Sequence, residues 1–136
     1  MDRFLRVTDR FFVARQISPD DLVAAAALGI RLAVNNRPEG ESLDQPASDE
    51  LRRAAQAAGI GYVEIPVRGY PAPDQAIAMH EALAGADGPA LAWCLSGTRS
   101  IFTWAMGEAL AGMRTPSELV GLARAAGYDV SALFSG

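Results

Sequence analysis

Residues 89–100 have the sequence PALAWCLSGTRS and contain Cys94, the only cysteine of the chain. The apolar segment 89–93 predicts a short buried strand, and residues 99–106 predict the opening of a helix. A thiol between a strand end and a helix start lies where backbone N–H groups converge and the helix dipole is positive. That environment favours thiolate over thiol, and the same loop is a ready anion site. The stretch therefore predicts a nucleophile and an oxyanion cradle in one loop.

Length and composition predict a single globular domain over residues 1–136, since half of the residues are apolar and 21% are charged. The net charge of −4 gives no general attraction to nucleic acid or to an anionic membrane surface. One cysteine and one histidine make a poor ligand set, so we expect no metal and no cofactor. The charged first residues do not resemble a secretory signal, and a lone thiol fits a reducing, cytoplasmic setting.

Strand and helix patterns alternate along the chain. Apolar segments predict strands at residues 11–16, 30–35, 60–67 and 89–93. Capping residues at the starts and glycines at the ends predict helices over about 18–29, 48–59, 74–84, 99–112 and 115–127. Ser18, Ser48, Asp74 and Thr115 are the expected N-terminal caps. The alternation predicts an α/β fold with a central, mostly parallel sheet of about four strands flanked by about five helices.

Ligands of such sheets bind at the carboxyl ends of the strands. Cys94 lies at one of these ends, and the loops after Asn35 and Val67 begin at two others. We therefore expect these loops to line the same cleft as the thiol. Asn36, Arg37 and Arg68 are the candidates there for contacting the substrate or supporting the loop, although a plain polar or solvated role is also open for them.

Several stretches together resemble a known family. They are residues 16–22, 35–41, 62–67, 94–100 and 126–129, with sequences QISPDDL, NNRPEGE, YVEIPV, CLSGTRS and AGYD. They resemble the phosphatase-like domain of beta-lactamase-hydrolase-like proteins, small bacterial proteins that are also described as sulfur transferases. The resemblance implies a dual-specificity-phosphatase-like fold with the cysteine loop as its active site. Some relatives are fused to a metallo-hydrolase that handles persulfides, which implies a metallo-hydrolase or persulfide dioxygenase as a functional partner.

Two positions depart from the pattern. The family usually has Arg directly after the cysteine, where this chain has Leu95, and phosphatases commonly have His before it, where this chain has Trp93. The first change removes a cation from the mouth of the site. Its consequence for activity or specificity is open at the level of sequence.

Loop length and the absence of an acid distinguish sulfur transfer from phosphate chemistry. Tyrosine phosphatases place five residues between Cys and Arg, whereas Arg99 follows Cys94 after four, as in the rhodanese sulfurtransferases. Phosphatases of this fold also carry a general acid in the loop that corresponds to residues 68–73, and this segment holds none. Asp74 follows the segment, but we expect it to cap the next helix.

These observations predict a cysteine-dependent sulfurtransferase. Cys94 is the expected nucleophile and forms a persulfide, while Arg99 holds a small anionic sulfur donor and a thiophilic acceptor removes the sulfur. The anion-binding loop is expected to comprise Leu95, Ser96, Gly97, Thr98 and Ser100. A phosphatase with a cysteinyl-phosphate intermediate is the first alternative. A non-catalytic module that binds an anion or persulfide for a hydrolase is the second, and a buried, inert cysteine is the plain structural interpretation.

Overall fold

A computed structural model describes residues 3–135 of the chain. In this range the strands are β1 Leu5–Thr8, β2 Phe11–Ala14, β3 Leu32–Asn35, β4 Gly61–Glu64 and β5 Ala90–Trp93. The helices are α1 Pro19–Ala27, α2 Ser48–Ala57, α3 Pro73–Gly85, α4 Thr98–Leu110 and α5 Pro116–Ala125, and a 3-10 turn follows at Ser131–Leu133. The predicted alternation of strands and helices is confirmed.

The strands form one sheet in the order β1-β2-β5-β3-β4. Strands β2, β5, β3 and β4 are parallel, and β1 pairs antiparallel with β2 at the edge. The sequence analysis missed β1, because a four-residue edge strand with charged residues around it gives only a weak pattern. The register sets Ala14 and Asn35 opposite Trp93, so the carboxyl ends of three neighbouring strands stand level.

Helices cover both faces of the sheet. On one face, Leu22 of α1 and Leu51 of α2 pack in a cluster with Leu91 and Trp93 of β5. On the other face, one residue from each of α3, α4 and α5 packs in a second cluster with residues of β2 and β5. The helix residues are Met79, Trp104 and Leu119, and the strand residues are Phe11, Val13 and Ala92. Strand β5 is buried on both faces, which explains its unbroken apolar sequence. The central position of β5 places Cys94 in the middle of the sheet edge.

The helix starts follow the prediction at two of four positions. Thr115 caps α5, since its hydroxyl accepts from the Glu118 N–H at 3.2 Å. Ser18 is the N-cap of α1. At α2 and α3 the predicted caps were wrong. Ser48 is the first helical residue and its hydroxyl lies 2.8 Å from the Tyr62 hydroxyl. Asp74 lies within α3, because this helix begins one residue earlier, at Pro73. The Asp74 side chain is exposed.

No helix within residues 3–135 combines the length and the apolar composition that crossing a bilayer requires.

Candidate active site

The cysteine loop connects the end of β5 to the start of α4. Cys94 follows directly after Trp93, and Gly97 is the N-cap residue of α4. The Gly97 N–H donates to Cys94 Sγ at 3.1 Å. The sulfur therefore lies at the amino end of a thirteen-residue helix and accepts a hydrogen bond from the amide of its N-cap residue.

Gly97 is the residue on which the loop turns. Its φ is +94°, a left-handed conformation that side chains rarely adopt. A Cβ at this position would lie 2.2 Å from the hydroxyl of Tyr128 and 3.3 Å from the Ala14 carbonyl oxygen. Tyr128 closes the loop from this side by donating from its hydroxyl to the Ser96 carbonyl at 2.9 Å. Burial raises the pKa of the Tyr128 phenol, and the nearby charge of Cys94 adds to the shift.

The other loop residues divide into exposed and buried. Leu95, Ser96 and Thr98 are exposed, and the Ser96 hydroxyl donates to Thr98 Oγ1 at 3.0 Å. Ser100 is completely buried, and its hydroxyl has no hydrogen-bond partner among the described residues. An unpartnered buried hydroxyl is unfavourable unless something occupies the site. Ser100 is thus a candidate donor to the sulfur or to a bound group.

Arg99 is held at the site by bonds from two distant segments. Its Nη1 donates to the Val67 carbonyl at 2.9 Å. Nη1 and Nη2 also donate to the two carboxylate oxygens of Glu41 at 2.7 and 2.9 Å, a bidentate ion pair. The hydrogen bond with Glu41 raises the pKa of Arg99, and the charge of Cys94 raises it further. A joint role of Cys94 and Arg99 in catalysis stays a prediction.

Arg37 completes a three-residue cluster with Glu41 and Arg99. Its Nε donates to Glu41 Oε1 at 2.9 Å, while its other nitrogens donate to Gln16 Oε1 at 3.0 Å and Ser42 Oγ at 3.3 Å. The hydrogen bonds from Arg99 lower the pKa of Glu41 from 4.5 to about 2, with a further lowering from Arg37 and the charges of both arginines, although partial burial opposes it. Glu41 is therefore a carboxylate, and not a proton donor, at neutral pH in this conformation.

The three further candidates from the sequence have different surroundings. Arg37 reaches the site through Glu41, as described above. Asn36 is buried and connects strand ends: its backbone N–H donates to the Trp93 carbonyl and its Nδ2 to the Ile65 carbonyl, both at 2.9 Å. Arg68 is exposed and forms no hydrogen bond or ion pair with residues 3–135. A substrate contact for Asn36 or Arg68 stays a prediction.

Glu41 and Tyr128 are site residues that the sequence analysis did not single out. Both lie within stretches quoted for the family resemblance, residues 35–41 and 126–129. The opposite charges of Arg37 and Glu41, close together in one predicted loop, were the available signal. Nothing local connects Glu41 to Arg99, because they are 58 residues apart.

Cys94 is completely shielded from solvent in this conformation. A cavity of about 730 Å³ lies elsewhere, at the amino end of the strands near Phe11, where His80 and Glu108 contribute to its wall. That cavity contains no cysteine, so we place the candidate active site at the Cys94 loop on chemical grounds. No cluster of three or more metal-binding side chains occurs in the part of the chain that the structure describes.

Comparison with known proteins identifies the family. The sequence profile of the "Beta-lactamase hydrolase-like protein, phosphatase-like domain" family matches residues 3–111, which include the Cys94 loop. The chain belongs to this family. The resemblance drawn from the sequence is therefore confirmed.

The curated relatives are longer than this chain. A Beta-lactamase hydrolase-like protein of Agrobacterium fabrum is 34% identical over 129 residues, which cover 94% of this chain and 30% of the relative. The chain thus spans about a third of the length of the curated relatives it matches.

Solved structures share the fold of this phosphatase-like domain. A candidate phosphatase from Neisseria meningitidis superposes with a TM-score of 0.86 at 25% identity, covering 98% of this chain and 94% of that one. Kinase associated phosphatase, in a form whose catalytic site cysteine is replaced by serine, superposes with a TM-score of 0.71 at 16% identity, covering 92% and 82%. The predicted phosphatase-like fold is confirmed.

Proposed function

We propose that the chain is a cysteine-dependent group-transfer enzyme in which Cys94 takes up the transferred group. The observation that carries the proposal is the hydrogen bond from the Gly97 N–H to Cys94 Sγ at 3.1 Å, at the start of α4 and beside Arg99. These groups supply the three requirements of the chemistry: a nucleophilic sulfur, amides for developing negative charge, and a cation for the substrate.

Phosphoester hydrolysis is the first candidate reaction, because the family and the structural neighbours are phosphatase-like. In this reaction the Cys94 sulfur attacks phosphorus, an S–P bond forms, and the ester oxygen leaves with the bonding electron pair. Water then attacks the phosphocysteine, which releases inorganic phosphate and restores the thiolate. Residues 68–73 hold no acid to protonate the leaving oxygen, so we expect aryl phosphates to react better than alkyl phosphates, since their oxyanions leave more readily.

Sulfur transfer is the second candidate, and two observations favour it. Only four residues separate Cys94 from Arg99, and the segment before α3 lacks a general acid. A thiolate that attacks the sulfane sulfur of thiosulfate forms Cys–S–S⁻ and releases sulfite, which leaves without added proton. A thiol or cyanide then accepts the sulfur. The short loop suits a single sulfur atom, and the Ser100 hydroxyl is a free donor for it.

One experiment compares the two reactions on the same protein. The chain is incubated separately with an aryl phosphate and with thiosulfate, and turnover is followed as phenol release or as thiocyanate formation from added cyanide. Mass spectrometry of the protein then identifies the group on Cys94, and Cys94→Ser is the control. Phosphate release that requires Cys94 supports the first candidate, and a single added sulfur supports the second. If Cys94→Ser retains the turnover, the proposal is wrong.

A non-catalytic role is the third possibility, in which the loop binds an anion or a persulfide for a separate metallo-hydrolase. The longer relatives have room for a second functional unit, because this domain accounts for only 30% of their length. Retained oxyanion binding with no covalent adduct on Cys94 under either substrate would favour this role over catalysis.

A further inference from the structure

The Glu41 carboxylate is bound to the arginine that a substrate anion would need. Its two oxygens accept from Nη1 and Nη2 of Arg99 at 2.7 and 2.9 Å, which is the bidentate geometry that guanidinium offers to phosphate and carboxylate groups alike. A substrate oxyanion therefore cannot take the same two donors while Glu41 remains in place.

The remaining contacts of the two arginines do not depend on Glu41. Arg99 keeps its bond to the Val67 carbonyl, and Arg37 keeps its bonds to Gln16 and Ser42. Arg37 is also almost completely buried, with 5% of its side chain exposed, whereas 27% of the Glu41 side chain is exposed. If the cluster opens, Glu41 is therefore the member that leaves, and both cations stay at the site.

The thiol is also shielded in this conformation. Cys94 has no exposed surface, so a substrate reaches the sulfur only after a neighbouring side chain moves. Glu41 lies on the turn after Arg37, where Gly40 adopts a φ of +74°. Among residues 3–135 its side chain is bonded to the segment that follows Cys94 through Arg99 alone. Displacement of Glu41 frees the Arg99 donors that its carboxylate occupies.

We propose that Glu41 is a specificity-determining residue: an internal anion that a substrate must displace from Arg99, and that lowers affinity most for doubly charged groups. The proposal deepens the proposed function and rests on it for the identity of the site. Its physical reason is electrostatic. With Glu41 in place, the charge of Arg99 is already compensated, and the attraction that a site exerts on an anion grows with the charge of that anion.

The test compares two tetrahedral oxyanions that differ by one charge, sulfate and methanesulfonate. Their dissociation constants are measured by isothermal titration calorimetry with wild-type protein and with Glu41→Gln, at one fixed low ionic strength. The matched control is Asp44→Asn. It removes one negative charge from the same loop, and its carboxylate contacts the Ser42 hydroxyl and neither arginine among residues 3–135.

We expect Glu41→Gln to bind sulfate roughly 3- to 10-fold more tightly than wild type, in keeping with the loss of one partly exposed ionic competitor. Methanesulfonate affinity should rise by a smaller factor, and Asp44→Asn should match wild type. Unchanged or weaker sulfate binding in Glu41→Gln would show that Glu41 supports the loop instead of competing with ligands. An equal gain in Asp44→Asn would reduce the effect to net charge and also overturn the proposal.

Catalysis gives a second measurement. With aryl phosphate, Glu41→Gln should lower KM, because the substrate no longer displaces a carboxylate before it binds. The two proposals fail separately. Absence of any Cys94-dependent turnover would remove the proposed function but leave the sulfate comparison intact, whereas equal sulfate affinities would remove the role of Glu41 alone.

Discussion

Replacing Gly97 with alanine is expected to destabilise the chain by about 2–3 kcal/mol. An alanine at a φ of +94° costs about 1–2 kcal/mol, because its Cβ approaches the backbone oxygen. The new Cβ would also lie 2.2 Å from the Tyr128 hydroxyl, which then gives up its hydrogen bond to the Ser96 carbonyl. That bond is worth about 0.5–1.5 kcal/mol.

A double-mutant cycle with Tyr128→Phe separates the two contributions. Removing the hydroxyl removes both the bond and the closest clash, so Gly97→Ala should cost only about 1–2 kcal/mol in the Tyr128→Phe background. The coupling free energy should then be about 1 kcal/mol, well above the deviation from additivity found for independent sites. Urea denaturation of the four proteins gives the free energies of unfolding directly.

Gly121→Ala is the matched control. This helical glycine in α5 is exposed, and a Cβ there would meet nothing within 4 Å, so the substitution should stabilise the chain by about 0.5–1 kcal/mol. The reasoning about the loop fails if Gly97→Ala is as stable as wild type, or if the two substitutions at positions 97 and 128 are additive. Either result would mean that Tyr128 does not close the loop against Gly97.

Three further outcomes are expected. Ser100→Ala should leave the urea midpoint unchanged or raise it, because the buried Ser100 hydroxyl has no partner among the described residues. The same substitution should slow adduct formation on Cys94 roughly ten-fold or more. Equal rates of adduct formation would exclude Ser100 as a donor. Gly107→Ala should lower stability by about 1–3 kcal/mol in thermal unfolding, because its Cβ would lie 2.5 Å from the Ala76 carbonyl oxygen and separate α3 from α4. The lowered pKa of Glu41, about 2 against an ordinary 4.5, stabilises the fold above pH 4.5 and ceases to do so as pH falls towards 2. The full lowering of the Glu41 pKa corresponds to about 3.4 kcal/mol of stability, which solvent screening reduces to about 1–2 kcal/mol. The difference in free energy of unfolding between wild type and Glu41→Gln should therefore be smaller at pH 3 than at pH 6, by more than half of this screened amount.

Local patterns explain which parts of the fold were predictable. The apolar segments of β2, β3 and β5 and the alanine-rich helices are distinct in the sequence, since burial of a strand or a helix face imposes its own periodicity. The errors concern contacts made elsewhere in the molecule. Ser48 does not cap α2 because its hydroxyl lies against Tyr62, and β1 forms only because β2 offers it an edge.

By itself the sequence determined the α/β architecture and the position of the cysteine loop at residues 94–100 between a strand and a helix, since a strand, a thiol, a glycine and a helix start follow one another within a few residues. Only the tertiary structure decided what surrounds that loop. The contacts of Arg99 with Glu41 and of Ser96 with Tyr128 join segments 58 and 32 residues apart. These contacts depend on the pairing of β3 with β5 and on where the segment after α5 lies. The spacing of residues along the chain does not reveal either arrangement.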